Sequence, residues 1–374
     1  MVTCEVLVAG GGPAGSACAG ALRRAGLDVV VMDKAIFPRD KVCAGWITPQ
    51  VIDELEIDVD DYRAGRTFQP ITGFRVGLIG GTAALETTYD RPVSFGIRRC
   101  EFDHYLLQRS NARLLLGTPA ASIRREGPQW VVNDSVKASM LVGAGGHFCP
   151  VARTLNGATT PAPLIAAQEV EFAIDPHERS AFTIAAERPE LYFCQDLHGY
   201  GWCFRKQDHL NIGFGRLGAH ALPKATAEFV DFLKATRRIP ATASWRWRGH
   251  AYHLSGPVCR QAVGEAVMLV GDAAGLAYPQ SGEGIRPAIE SGLIAAATIV
   301  HAQRHYGRER LEPYARQLQK RFGIGPAARL LSMVVPDGVS AALGHRLIDR
   351  PWFVRHVLLN RWFLHAQQPA LALS

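Results

Sequence analysis

Long apolar runs are missing from this chain of 374 residues, and no stretch reaches the length of a membrane span. The start also lacks a basic segment followed by a small-residue cleavage site; it runs straight into strand-like sequence. Together these absences lead to the expectation of a cytoplasmic protein. The eight cysteines (Cys4, Cys18, Cys43, Cys100, Cys149, Cys194, Cys203, Cys259) are scattered and none forms C-x-x-C, so neither a zinc site nor a disulfide framework is expected. His198, His209 and His253 fall at no spacing that gathers a metal, and no metal is expected. There are no repeats, no low-complexity linker and no nucleic-acid motif. The net charge of +7 and pI near 9.1 therefore point to other acidic partners: phosphates, an anionic substrate, an acidic protein or a membrane surface. A hydrophobic content of 48% is enough for full cores.

What is present begins at once. Residues 6–9, Val-Leu-Val-Ala, read as a strand buried on both faces. Gly10, Gly12 and Gly15 then give G-x-G-x-x-G, followed by a small-residue helix and a second strand, residues 29–32, that ends at Asp33. This is a βαβ dinucleotide cradle. Gly10 permits the tight turn, Gly12 lets a pyrophosphate approach the backbone, and Gly15 lets helix and strand pack closely. The phosphates sit at a helix N-terminus, where free N–H groups favour negative charge. Asp33, about 20 residues past the glycines, is placed to accept hydrogen bonds from ribose hydroxyls.

Further along, residues 39–49 form a loop and 49–55 a helix. Residues 73–79 and 83–88 form a hairpin around Gly80-Gly81, and Phe102, Leu106 and Leu107 share one helical face. Residues 114–116 read as a strand, 122–125 and 130–132 as a hairpin, and 140–146 as a strand running into a glycine turn after which no close-packing helix is expected. Residues 161–247 change character: strands at 165–172, 190–194, 201–204 and 210–215, with one helix at 224–236, suggest a mostly antiparallel layer. The strand at 266–270 ends in Gly271-Asp272, and helices follow at 283–301, 311–322, 327–335, 339–347 and 352–365. The fold class is α/β with an α+β substrate layer: a Rossmann-like domain, an inserted antiparallel sheet and a helical C-terminus. The expected division is 1–72, 99–160 and 261–310 for the nucleotide domain, 73–98 and 161–260 for the inserted sheet, and 311–374 for the helical region.

Five stretches resemble the geranylgeranyl reductase family of FAD-dependent oxidoreductases, relatives of the flavin-dependent aromatic hydroxylases and halogenases with a glutathione-reductase-type FAD fold. They are Gly10-Gly-Gly-Pro13-Ala14-Gly15; Lys41-Val-Cys43-Ala44-Gly45; Arg99-Cys-Glu-Phe-Asp103; Gly199-Tyr200-Gly-Trp202-Cys-Phe204-Arg-Lys206 with Asn211-Ile-Gly213; and Gly271-Asp272 through Pro279 and Gly282-Glu283-Gly284-Ile285. Departures are Arg205 where the family has proline, Gly143-Ala-Gly-Gly146 where it has an acid, and Trp46 after the cysteine loop, which narrows the site.

The resemblance implies non-covalent FAD held by Gly10, Gly12, Pro13, Ala14, Gly15, Asp33, Lys34, Cys43, Ala44, Arg99, Gly271, Asp272, Pro279, Gly282, Gly284 and Ile285. Asp272 would bind the ribityl or pyrophosphate side. The helix opening at 282–285 would present N–H groups to the flavin edge that turns anionic on reduction. Glu283 is either a proton relay or an acid that suits the helix dipole. Cys43 is a catalytic candidate beside flavin and substrate, or a small buried cysteine. Tyr200, Trp202 and Phe204 alternate on one strand and so share a face; with Trp46 they are expected to line an apolar substrate's pocket, Tyr200 and Trp202 bearing on turnover. No second dinucleotide cradle is seen, so the reductant is a transient NAD(P)H or a ferredoxin-type protein. The implied activity is reduction of carbon–carbon double bonds; the alternatives are a flavin monooxygenase and a non-catalytic FAD electron carrier. The apolar segment 352–364, with Arg355 and Arg361, is expected to pack on the protein, membrane-surface contact being the alternative.

Overall fold

The computed structural model describes residues 1–81, 83–157, 164–253, 261–278, 280–323 and 346–372. The helices expected at 327–335 and 339–347 lie outside the described residues or almost so.

The first strand, Val2–Ala9, is the centre of a parallel sheet. Val29–Met32 pairs on one side of it and Val136–Gly143 on the other. Arg113–Leu115 and Val267–Leu269 extend the two flanks. The central strands are β-branched and apolar because both faces are covered: Val6, Leu7, Val8 and Val29 to Val31 are all fully buried. Helices Pro13–Arg24 and Ile285–His301 lie against each other on this sheet. Their approach is set by Gly292, where a Cβ would come within 2.3 Å of Ala14 O. Strand order reverses at Val2–Ala9, and the crevice beyond the strand ends at that switch point is where such sheets take ligands. Gly10, Asp33, Ala144 and Val270 all emerge there.

Seven strands form the second sheet, in the order Arg248–His253, Leu164–Ala173, His209–Leu217, Gly199–Lys206, Glu190–Phe193, Gly73–Leu78, Ala84–Thr88. All pairings are antiparallel except that of Glu190–Phe193 with Gly73–Leu78. One face packs Cys203, Ile212 and Phe214 on helix Leu222–Ala235 through Phe229 and Leu233. The other packs Trp202, Phe204 and Leu191 against Trp46 and a C-terminal π-helix, Val354–Phe363.

Three readings of the sequence change. A short helix, Pro150–Asn156, does follow the glycine turn after Val136–Gly143, and its Val151 sits where a Cβ on Gly143 would reach within 2.8 Å. The edge strand Arg248–His253 was not foreseen. The segment after Pro351–Phe353 is π-helical, and it packs on the sheet: Val354, Leu358, Leu359 and Phe363 are buried. No helix among the described residues is long and apolar enough to cross a membrane.

Candidate functional site

A cavity of about 670 Å³ runs from the glycine turn of the parallel sheet to the aromatic strand of the second sheet. Gly10, Gly12, Pro13, Ala14, Asp33, Lys34, Cys43, Ala44, Trp46 and Arg99 line it, as do Tyr200, Trp202, Phe204, Asp272, Gly282, Glu283, Gly284 and Ile285. Gly15 and Gly271 do not. Gly15 serves close packing, since a Cβ there would lie 1.9 Å from Gly10 O. Gly271, at φ +60°, turns the chain below the site and donates its N–H to Ser291 Oγ at 2.9 Å. Pro279 lies outside the described residues.

The turn fits a dinucleotide. Gly10 has φ +127°, a conformation glycine accepts readily. The helix Pro13–Arg24 starts at Gly12 with no side-chain cap, so its first N–H groups remain available to a phosphate. A Cβ on Gly12 would meet only Arg39 Nη2, at 3.5 Å. The Arg39 guanidinium pairs with Asp103 through Nη2 at 3.1 Å, while Nη1 is buried with no hydrogen-bond partner among the described residues. A buried, unsatisfied cationic donor above an uncapped helix start is the arrangement a phosphate completes. Asp33 braces the turn: Oδ2 accepts Gly11 N–H at 2.7 Å and Oδ1 accepts Ala35 N–H at 2.8 Å.

Arg99 lines the cavity with its guanidinium held by fully buried Asp103 in two parallel bonds of 2.8 Å. Asp272 lies against the second glycine loop, where a Cβ on Gly284 would come within 3.3 Å of its Oδ1. Glu283 accepts the N–H of Arg286 at 2.7 Å and so satisfies one free donor of the helix Ile285–His301. Burial pushes its carboxyl up to about 7. Both readings of Glu283 keep a foothold: it caps, and it lines the cavity. Behind this helix start lies a buried ion cluster. Arg286 Nε bonds Glu290 Oε1 at 2.7 Å, and Arg321 bonds both Glu290 oxygens at 2.7 Å. Arg286 Nη2 also donates to Gln368 O and Pro369 O, at 3.0 and 2.8 Å, while Glu54 accepts Leu371 N–H at 2.9 Å. Burial, with Glu290 next, pushes Glu54 up to about 8.

The apolar part of the cavity is aromatic. Trp46 stacks on Phe204 and Phe363, with ring centroids 5.5 and 5.7 Å apart, and tilts against Phe74 at 5.4 Å. Tyr200 lies edge-on to Phe363 at 5.4 Å, and its hydroxyl donates to Ser281 O at 2.5 Å, tying the aromatic strand to the second glycine loop. Trp202 Nε1 donates to Asn211 Oδ1 at 2.7 Å.

Cys43 is half-buried in a loop held from outside. Its N–H donates to Glu169 Oε2 at 2.7 Å, its C=O accepts Asn211 Nδ2 at 3.2 Å, and its Sγ accepts Gly45 N–H at 3.4 Å. Lys206 Nζ, itself buried, bonds Glu171 Oε1 at 2.7 Å below the same loop. Burial pushes Glu169 up to about 7, against the pull of Lys206, Asn211 and the Cys43 N–H. Burial also raises Glu171, but Lys206 and Arg98 outweigh it and hold that carboxyl below its ordinary value. Lys41 Nζ lies 2.6 Å from His250 Nε2. Burial, then Arg99, pushes Lys41 down to about 8; burial and Lys41 push His250 down to about 3, so the ring is a neutral acceptor.

Sequence reasoning missed Arg39, Lys41, Glu169, His250 and Phe363. Only the acids carried a signal: Glu169 and Glu171 alternate in a strand that is otherwise apolar but for Gln168, so both face one side and need partners. No cluster of metal-ligating side chains occurs among the described residues.

Comparison with known proteins agrees with this geometry. Residues 3–56 match the FAD binding domain family. The chain is 29% identical over 345 residues to digeranylgeranylglycerophospholipid reductase 3 of Methanosphaera stadtmanae, covering 85% of this chain and 83% of that protein. It is 29% identical over 325 residues to menaquinone reductase of Mycobacterium tuberculosis, covering 79% and 76%. The fold matches a geranylgeranyl bacteriochlorophyll reductase-like protein of Thermoplasma acidophilum with a TM-score of 0.75 at 20% identity, over 94% of this chain and 92% of that one.

Proposed function

We propose, for a chain that is an FAD-dependent oxidoreductase of the geranylgeranyl reductase-like kind, that it reduces carbon–carbon double bonds in an apolar, isoprenoid-bearing substrate. The observation that carries the reading is continuity: one cavity joins the dinucleotide cradle to a wall of Trp46, Tyr200, Trp202, Phe204 and Phe363. Such a wall favours a hydrocarbon by area removed from water, about 25 cal/mol per Å².

FAD, when bound and reduced, supplies a hydride equivalent to the alkene. Gly10 to Ala14 and Arg39 would hold the pyrophosphate, with Asp33 bracing the turn. Asp272 would hold the ribityl or pyrophosphate side of the cofactor, and the N–H groups at 282–285 would favour negative charge on the flavin edge. The aromatic residues orient the alkene and exclude water. Cys43 would keep a proton at Sγ for the second alkene carbon. The nucleotide domain comprises 1–72, 99–160 and 261–310, and the substrate layer 73–98 and 161–260.

The reductant is a transient NAD(P)H or a ferredoxin-type protein, for which the net positive charge is suited, and the setting is cytoplasmic. The test is anaerobic: reduced protein mixed with a prenyl lipid that has no redox-active headgroup should reoxidise only when the alkene is present, with a saturated product by mass. Reoxidation only in air with a hydroxylated product would replace the reductase reading by a monooxygenase. Cys43→Ser should lower turnover and spare flavin content; unchanged turnover removes Cys43 from the chemistry.

A further inference from the structure

The backbone of Cys43 is gripped at both its N–H and its C=O by side chains of the second sheet. Its N–H goes to Glu169 on Leu164–Ala173 and its C=O to Asn211 on His209–Leu217. Glu169 is 2% exposed and Asn211 0%. Exposed loops ordinarily satisfy such backbone groups with water or within a turn. Using a buried carboxylate and a buried amide instead carries a desolvation penalty, offset only while every bond is made. The amide's orientation is fixed by its partners. Trp202 Nε1 can only donate, so Asn211 Oδ1 must accept it; Nδ2 then faces Cys43 O and Glu169 Oε2, both at 3.2 Å. The Asn211 amide thus bonds the aromatic wall through one atom and the cysteine loop through the other.

We propose that Glu169 and Asn211 are positioning residues for Cys43, and that Asn211 joins Cys43 to Trp202 so that a substrate settling on the aromatic wall sets the thiol's place. This rests on the reading that Cys43 faces the reacting substrate. Glu169 holds the loop's N–H. Asn211 transmits the position of the Trp202 indole, because moving the ring pulls on an amide whose other end is the Cys43 carbonyl.

The experiment uses FAD-loaded protein and iodoacetamide, with Cys43 alkylation followed by peptide mass and with flavin content and thermal midpoint recorded for each variant. Trp202→Phe keeps an aromatic face and deletes the N–H that bonds Asn211, together with part of the indole that packs on Gly213, a packing loss that the thermal midpoint reads separately. It should raise the Cys43 alkylation rate about threefold or more, the scale of one lost buried hydrogen bond. Glu169→Ala should do the same, and Glu169→Gln, which retains an acceptor, should restore most of the original rate. Unchanged Cys43 reactivity in Trp202→Phe, at full flavin content and unchanged midpoint, overturns the coupling. Equal reactivity of Glu169→Gln and Glu169→Ala overturns the role of Glu169. Neither readout needs turnover, so full activity in Cys43→Ser would refute the chemical role of the thiol while the alkylation results decided the positioning separately.

Discussion

Arg39 illustrates how a single side chain declares a ligand. Its Nη1 is buried and unpaired among the described residues, above an uncapped helix start. Arg39→Met should keep the stem's packing on Phe37, where the guanidinium now lies 4.6 Å from the ring centroid, and lose the charge. FAD affinity should fall roughly 10- to 100-fold, the loss of a charge-assisted bond, as read by titration of apoprotein; an unchanged affinity would place the phosphates elsewhere. Glu169 makes a different kind of statement. Its carboxyl, ordinarily at 4.5, is raised to about 7 by burial although Lys206, Asn211 and the Cys43 N–H face it. The folded state therefore holds the proton more tightly than the unfolded one. The group's penalty is absent below pH 4.5, grows as pH rises from 4.5 to 7, and is constant above. Glu169→Gln cannot ionise, so its stability relative to the parent should rise across that window by up to about 3 kcal/mol. Urea unfolding at about pH 4.5, 6 and 8 checks this; a difference that ignores pH would mean Glu169 titrates like an ordinary carboxylate.

At the scale of elements, the contact between the first helix and Ile285–His301 fixes the width of the cofactor crevice. Gly292→Ala would place a methyl 2.3 Å from Ala14 O and 3.2 Å from Cys18 N, both backbone atoms that cannot rotate aside. Overpacking of this kind is worth about 1–3 kcal/mol. Because Ala14 lines the cavity, FAD affinity should fall along with the thermal midpoint; loss of neither would show the helices slide freely. The elements that sequence revealed are those with a strong local pattern: the buried valine strands, the cradle, the alternating Tyr200-Trp202-Phe204. Arg248–His253 escaped because it is an edge strand, its described side chains half-buried or exposed, that reads as Arg-Gly-His-Ala, and its side-chain ties, Arg248 to Asp40 and His250 to Lys41, reach residues far away in sequence. The C-terminal helix at 352–365 was legible as a helix that packs on the protein, but not its π winding, because its residues are apolar on several sides and carry no clean stripe. Contacts such as Lys41 with His250 or Glu169 with Cys43 join residues far apart in sequence, and no local period records them.

Across the whole molecule, the last described residues fasten the cofactor helix. Gln368, Pro369 and Leu371 meet Arg286, Arg321 and Glu54 in the buried ion cluster directly behind Ile285. A chain ending after residue 364 would keep Phe363 in the aromatic wall and leave Arg286 and Glu54 short of partners. Hydrogen bonds to charged groups are worth about 1.5–3 kcal/mol each, so a drop in stability on the order of 3 kcal/mol or more and a lower flavin content are expected. Equal flavin content and midpoint would reduce the tail to a passive cover.

This fastening has a consequence for synthesis. A ribosome makes the Gly10–Gly15 turn long before the residues that close the ion cluster, and domains ordinarily begin to fold as they emerge. Here the nascent chain carries an early phosphate cradle whose opposite wall still lacks its anchor until residue 371 leaves the exit tunnel. Tight flavin capture thus waits for residues 368–371, and yellow colour should report that they have been made. A message truncated late would yield a pale protein with most of its secondary structure formed, exposed to proteases for want of a few residues.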